Sequence, residues 1–176
     1  MPARGFEGIT PRLAAGVFVD ETALVIGDVA IGADSSVWPF TVARGDVNRI
    51  RIGARTNIQD HCVLHVSHDG PHRPGGNDLL IGDGVTVGHR VTLHGCHIEN
   101  DCLIGMGSIV MDGAVLGRHT LLGAGALIPP DKTLEPGYLW LGSPARQVRA
   151  LSDEEIAGIE YSAAHYVQLK DRHLKS

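Results

Sequence analysis

A parallel β-helix is the fold this sequence predicts, and three observations predict it. Aliphatic side chains recur every six residues, a period that neither an α-helix at 3.6 nor a lone strand at 2 can produce. A hexapeptide interval instead marks coils built of short strands joined by corners. The residues two places before each aliphatic are mostly small. Glycine supplies 23 of the 176 residues, as a chain that turns a corner every few residues requires. The period is plainest over residues 81–98, IGDGVTVGHRVTLHGCHI, where Ile81, Val87 and Leu93 are followed by Gly82, Gly88 and His94.

Taken in order, residues 1–16 show no repeat and read as an edge or cap. From Val19 the register runs through Val25, Ile31 and Val37, breaks over residues 38–48, and resumes at Ile52, Ile58 and Leu64. Residues 66–78, VSHDGPHRPGGND, hold turn formers and little that is apolar, so they read as a loop ejected from the coil. The repeat returns at Ile81, Val87 and Leu93, slips by one at Ile98, and continues through Ile104, Val110, Leu116, Leu122, Ile128 and Leu134. Three hexads per coil give a triangular prism over residues 17–135. Its narrow interior is expected to take Ala23, Ser35, Thr56, Ser108, Ala114, Thr120 and Ala126. Cys62, Cys96 and Cys102 fall in the same class of position. They therefore read as small buried packing groups, and an odd count argues against a disulfide framework.

Beyond the prism, EPGYLWLGSPAR is a turn-rich exit. Ser152 with Glu155 three residues on is a capping box, which opens a helix over residues 152–174. Ile156, Ile159, Ala163, Tyr166, Val167 and Leu174 would line the face turned to the prism. The whole chain, 1–176, reads as a single domain by its length.

Composition narrows the function classes. A net charge of −5 argues against a nucleic-acid surface, which needs a basic patch. No apolar run reaches the length of a membrane span. The N-terminus has no positive segment followed by an apolar stretch, so a cytoplasmic location is expected.

The histidines carry the chemistry. With the loop excised, Leu64 and Leu93 occupy equivalent places on successive coils. His65 and His94 then project outward side by side, about 4.8 Å apart in backbone, close enough for two imidazoles to share one ion. His89, two residues after Val87, belongs to another face. A neighbouring subunit would have to supply it, and three prisms side by side would make three equivalent shared sites. A rival set within one chain is His65, His68 and His72, along the loop.

Three motifs carry a resemblance: RGDVNRIRIG (44–53), TNIQDHCVLH (56–65) and VGHRVTLHGC (87–96). Together they resemble the γ-class carbonic anhydrases and their close relatives, and the likeness extends over nearly the whole chain. The resemblance implies a single-stranded left-handed parallel β-helix, a homotrimer, and zinc between subunits, with ferrous iron or cobalt as alternatives. It implies reversible hydration of carbon dioxide to bicarbonate. Carried over by position, His65, His89 and His94 are the metal ligands. Gln59 is the residue that hydrogen-bonds near the reacting water, with Asn57 close by. Arg44, Asp46 and Asp60 are polar residues of the subunit interface.

Two positions depart from that pattern. Val47 stands where some members carry a glutamate after the RGD aspartate. His68 stands at the offset of a loop glutamate used for proton transfer. Histidine can carry protons near its unperturbed pKa of about 6.5; valine cannot. Two other classes compete: a hexapeptide acyl-CoA transferase or thioesterase, suggested by the repeat and by GSPAR (142–146), and a non-catalytic metal-binding trimer, suggested by Val47.

Overall fold

The computed structural model describes residues 2–175. Most strands are two or three residues long and alternate with corners, and within the prism strands pair in parallel with those one coil further on. Three aliphatic ladders result. One runs Val37, Ile58, Val87, Ile104, Leu122 and Trp140. The next is Ala43, Leu64, Leu93, Val110 and Ile128, and the third is Ile31, Ile52, Ile81, Ile98, Leu116 and Leu134. All of these side chains are buried and meet along the prism axis. Because successive residues of a strand point to opposite faces, the neighbours of each ladder residue are turned outward.

The expected small interior positions are buried as well. Size is half of their role; the other half is donation. Ser35 Oγ donates to the Gly53 carbonyl at 2.7 Å, Thr56 Oγ1 to Gly82 at 2.7 Å, and Ser108 Oγ to Gly123 at 3.1 Å. Cys62 Sγ does the same to Gly88 at 3.1 Å. Corner carbonyls that face inward would otherwise be stranded without water. Burial pushes the Cys62 and Cys102 thiols up to about 12 and raises Cys96 too. All three cysteines are free and buried, as packing groups should be.

Glycine is required where corners stack. A Cβ on Gly53 would lie 2.5 Å from the Gly82 carbonyl carbon, and one on Gly32 would lie 2.6 Å from that of Gly53.

The structure corrects the sequence reading in several places. Ala43 sits on its ladder, wholly buried, so the repeat does not break at residue 38. Its small side chain hid it among the polar residues that follow. The irregularity is a bulge after it, where Val42–Ile52 pairs with Leu24–Ile31 and the register shifts between Gly27 and Val29. The prism also begins before residue 17, since Ala3–Arg4 and Arg12–Leu13 pair in parallel with Leu24–Ile31. It continues past residue 135 through Tyr138–Gly142, against which Ala145–Ala150 folds back antiparallel. Val66, assigned to the ejected loop, is buried. The loop proper is closed by a backbone bridge between Ser67 and Asn77.

The helix spans Asp153–His173, and both arms of the Ser152–Glu155 capping box are formed. It packs against Ser36–Val37, Asn57–Ile58 and Thr86–Val87. Ile159 and Ala163 are buried in that contact, whereas Leu174, expected on the same face, is exposed at the C-cap. The buried residue there is Lys170, whose Nζ reaches Asp171 at 2.6 Å and Asp34 at 3.0 Å. Burial works against the lysine charge, but the two carboxylates outweigh it and raise the pKa. Among the described residues no helix is long and apolar enough to cross a membrane.

Candidate metal centre

His65 and His94 end the strands Val63–His65 and Thr92–His94 and are paired in register. With Leu64 and Leu93 turned inward, both imidazoles emerge at one corner. Nδ1 of His65 lies 3.1 Å from Nε2 of His94, with ring centroids 5.1 Å apart. Each ring is held from behind by a carboxylate. Asp46, on the bulge, accepts from His65 Nε2 at 3.0 Å and also pairs with Arg44. Asp112 presents both oxygens at 3.0 Å to His94 Nδ1. Ser67 Oγ at 2.5 Å and Asn77 Nδ2 at 3.3 Å donate to Asp112 in turn.

The electrostatics follow from these contacts. Burial pushes the Asp46 carboxyl upward, but hydrogen bonds from Arg44 and His65 outweigh it and the net shift is down. Asp112 behaves alike, with Ser67, Asn77 and His94 overcoming its burial. Burial lowers the pKa of His65, against the pull of Asp46, which favours a neutral ring.

Both carboxylates are acceptors only, so the nitrogens that face them carry the protons. The facing nitrogens, His65 Nδ1 and His94 Nε2, then present lone pairs to each other. Two lone pairs at 3.1 Å repel unless a proton or cation lies against them. Two nitrogens bound tetrahedrally to one zinc ion at about 2.0–2.1 Å would be about 3.3 Å apart. The pair therefore fits a shared ion as donors, tautomers and spacing.

One chain does not complete the site. Among the described residues, no three His, Cys, Asp or Glu side chains are grouped so as to hold a metal ion. The rival set His65, His68 and His72 forms no such group among the described residues either. His89 lies at another corner, where its Nδ1 faces Asp60 Oδ2 at 2.8 Å and its ring is half exposed. Between the two corners runs the strand that ends in His94. Its outward ladder is Val42, Val63, Thr92, Ile109 and Leu127, of which Val63 and Ile109 are exposed. A mostly apolar face is thus bordered by a two-histidine half on one side and a one-histidine half on the other.

The remaining sequence candidates divide between these halves. Gln59 and Asn57 are buried beside the His89 corner, with Gln59 Nε2 donating to Asn57 Oδ1 at 3.1 Å and Asn57 Nδ2 to Thr86 Oγ1 at 2.9 Å. Thr86 Oγ1 continues to Ser162 of the helix at 3.2 Å. His68 is exposed in the loop, lining a hollow with Ser67, Gly70, Pro71, His72 and Arg73. Val47 is exposed on the bulge, where with Phe6, Ile9, Asp28, Asp46 and Arg49 it lines a hollow of about 300 Å³. Asp112, Ser67 and Asn77 were not found from the sequence. The available signal was an acidic residue two after Val110, one coil beyond His94 at the same corner.

A two-histidine half-site on a hexapeptide prism defines a class, and comparison with known proteins gives the family. Residues 95–130 match the family model described as bacterial transferase hexapeptide (six repeats). The chain is 52% identical to Protein YrdA of Escherichia coli over 97% of its own length and 93% of that protein. It is 44% identical to a carbonic anhydrase of Geobacillus kaustophilus, over 93% of this chain and 86% of that one. A crystal structure of a hexapeptide transferase family protein from Anaplasma phagocytophilum superposes with a TM-score of 0.88 at 40% identity, over 96% of each chain. The chain belongs to the γ-class carbonic anhydrase-like family of hexapeptide-repeat proteins.

Proposed function

We propose that this protein is a metal-dependent carbonic anhydrase-like enzyme that catalyses the reversible hydration of carbon dioxide to bicarbonate as a homotrimer. One observation supports it above the others: two in-register imidazoles turn ring nitrogens toward each other at 3.1 Å, with each outer nitrogen on a carboxylate. His65 and His94 of one chain and His89 of the partner subunit hold the ion, zinc by preference, with ferrous iron or cobalt as alternatives. The apolar face between the corners is the surface that a second copy covers. When bound, the cation supplies the acidity that turns water into a nucleophile near neutral pH.

The chain's own groups do the rest. Asp46 and Asp60 fix the tautomers of His65 and His89, so that a lone pair points into the site. Arg44 holds Asp46 in place. Gln59, braced by Asn57, orients the reacting water from the His89 side. His68, exposed on the loop, carries the released proton to solvent. Metal analysis of the purified protein, with stopped-flow carbon dioxide hydration of the zinc- and iron-loaded forms, tests the reading. Metal at about one ion per chain with hydration above background supports it; loaded protein without hydration defeats the catalytic part and leaves a metal-binding trimer.

A second reading is acyl transfer to or from coenzyme A, favoured by the 40% identity to a hexapeptide transferase family protein. It predicts coenzyme A binding that survives replacement of His89.

A further inference from the structure

We propose that Asp112 is a positioning residue for the metal centre, and that the loop over residues 67–77 is the clamp that sets it. The inference rests on the reading of His94 as a ligand. Asp112 faces His94 Nδ1 with both oxygens at 3.0 Å. A carboxylate only accepts, so Nδ1 carries the proton and Nε2 is left with its lone pair toward His65. Were Asp112 to rotate away, the ring would be free to take the other tautomer, with its lone pair turned out of the site.

The loop prevents that rotation. Ser67 Oγ and Asn77 Nδ2 both donate to Asp112 Oδ1, at 2.5 and 3.3 Å. Asn77 is steadied by Arg73 Nε at 3.0 Å, and Arg73 is anchored on Asp131, one coil beyond Asp112, at 2.5 and 3.1 Å. Reciprocal backbone bonds of 3.0 and 3.1 Å between Ser67 and Asn77 fix the spacing of the two donors. Gly95 leaves the gap they close into: a Cβ there would stand 2.4 Å from Asp112 Oδ1 and 2.7 Å from Asn77 Cβ. A loop with almost no apolar residues thus gains an architectural purpose. It builds the outer shell of one ligand, as the bulge bearing Asp46 does for His65.

The test uses the full-length protein labelled with 15N at histidine. Two-bond proton–nitrogen correlation on the metal-free protein reads the His94 tautomer, with its signals assigned by their absence in His94→Gln. Zinc affinity is read by competition with a chromophoric chelator. The wild type is expected to show His94 protonated at Nδ1. Asp112→Ala should lose that pattern and bind zinc about 10–100-fold more weakly, the usual cost of removing an outer-shell partner. The double change Ser67→Ala with Asn77→Ala keeps Asp112 but removes its holders, and should weaken zinc about tenfold; this loop variant decides the matter if Asp112→Ala does not fold. Asp112→Asn, which keeps an acceptor oxygen, should restore much of the tautomer signal. His94 protonated at Nε2 in the wild type, or unchanged zinc affinity in folded Asp112→Ala, would overturn the proposal. A wild type that takes up no zinc would defeat the ligand reading instead, while the tautomer in the metal-free protein still decides the role of Asp112.

Discussion

The two corners that bear histidines are built on opposite plans. At the His89 corner every step between ladders is six residues: Val37 to Ala43, Ile58 to Leu64, Val87 to Leu93, Ile104 to Val110 and Leu122 to Ile128. At the corner of His65 and His94 the steps vary. Nine residues separate Ala43 from Ile52, seventeen separate Leu64 from Ile81, and five separate Leu93 from Ile98. Every departure from the hexad period within the prism falls at that one corner. The difference teaches where this fold can change. Ladder residues are locked by pairing above and below, so variable segments gather where they interrupt no ladder, and there they can carry chemistry. The regular corner contributes a histidine whose place is set by the repeat alone.

If both corners are needed for one site, breaking either should abolish it. His94→Ala and His89→Ala are each expected to lose nearly all bound metal while far-ultraviolet circular dichroism stays native, because both side chains point out of the core. Mixing the two variants before assembly sharpens this. In random trimers about a quarter of the interfaces would pair an intact His89 edge with an intact His65–His94 edge. Metal content should recover to about that fraction, and no recovery would show that the two corners do not face each other.

The ladders should resist change more than either corner. Leu93→Ala empties a fully buried position and should destabilise by about 2–5 kcal/mol. Ala43→Leu, which enlarges a residue on the same ladder, should cost about 1–3 kcal/mol by overpacking. Chemical unfolding measures both, and a near-neutral Ala43→Leu would mean that the prism is loosely filled beside the bulge.

A smaller effect is expected in the loop. His68→Ala should keep its metal and lose at most about 10²-fold in hydration at low buffer, the lower end of what a positioned proton carrier contributes. Added imidazole should restore most of the rate. Equal rates at every buffer concentration would remove His68 from the proton path.

The smallest effect concerns the helix that covers the regular side. The Arg149 guanidinium beside Glu155, together with the Ser152 amide, lowers its carboxyl from 4.5 to about 2. A depressed folded pKa gives stability that is full above pH 4.5 and fades as pH falls toward 2. Glu155→Gln should flatten that part of the stability profile between pH 5 and 2, measured by urea unfolding. A profile unchanged by the substitution would show that the pair contributes nothing in solution.

The same contrast governs what the sequence disclosed. Ladder positions were legible because the period is enforced coil after coil, and His65 opposite His94 followed from it by counting. Ala43 was passed over because alanine is a weak mark of an inward position. Asp112 was missed because its role depends on Ser67 and Asn77, which lie on a segment with no period. Lys170 in place of Leu174 against the prism shows the limit of apolar patterning, since a lysine flanked by Asp34 and Asp171 can close a helix contact that hydrophobicity assigns elsewhere.

The backward turn at Ala145–Ala150 closes one face of the last coil. A stack of parallel coils has no internal reason to stop, and an open last coil would offer a template for another chain to extend. By running antiparallel along Tyr138–Gly142, this strand occupies that template on one face, with a direction the next coil could not continue, while Leu127–Ile128 and Thr133–Leu134 are the end strands of the other sheet. The regular coils between Ile98 and Leu134 repeat every eighteen residues, the unit in which a whole coil would be added or removed. The histidine pair lies outside that stretch, but Asp112 and Asp131 lie within it, so any change of length there must keep the carboxylate behind His94 and the anchor of Arg73 in place.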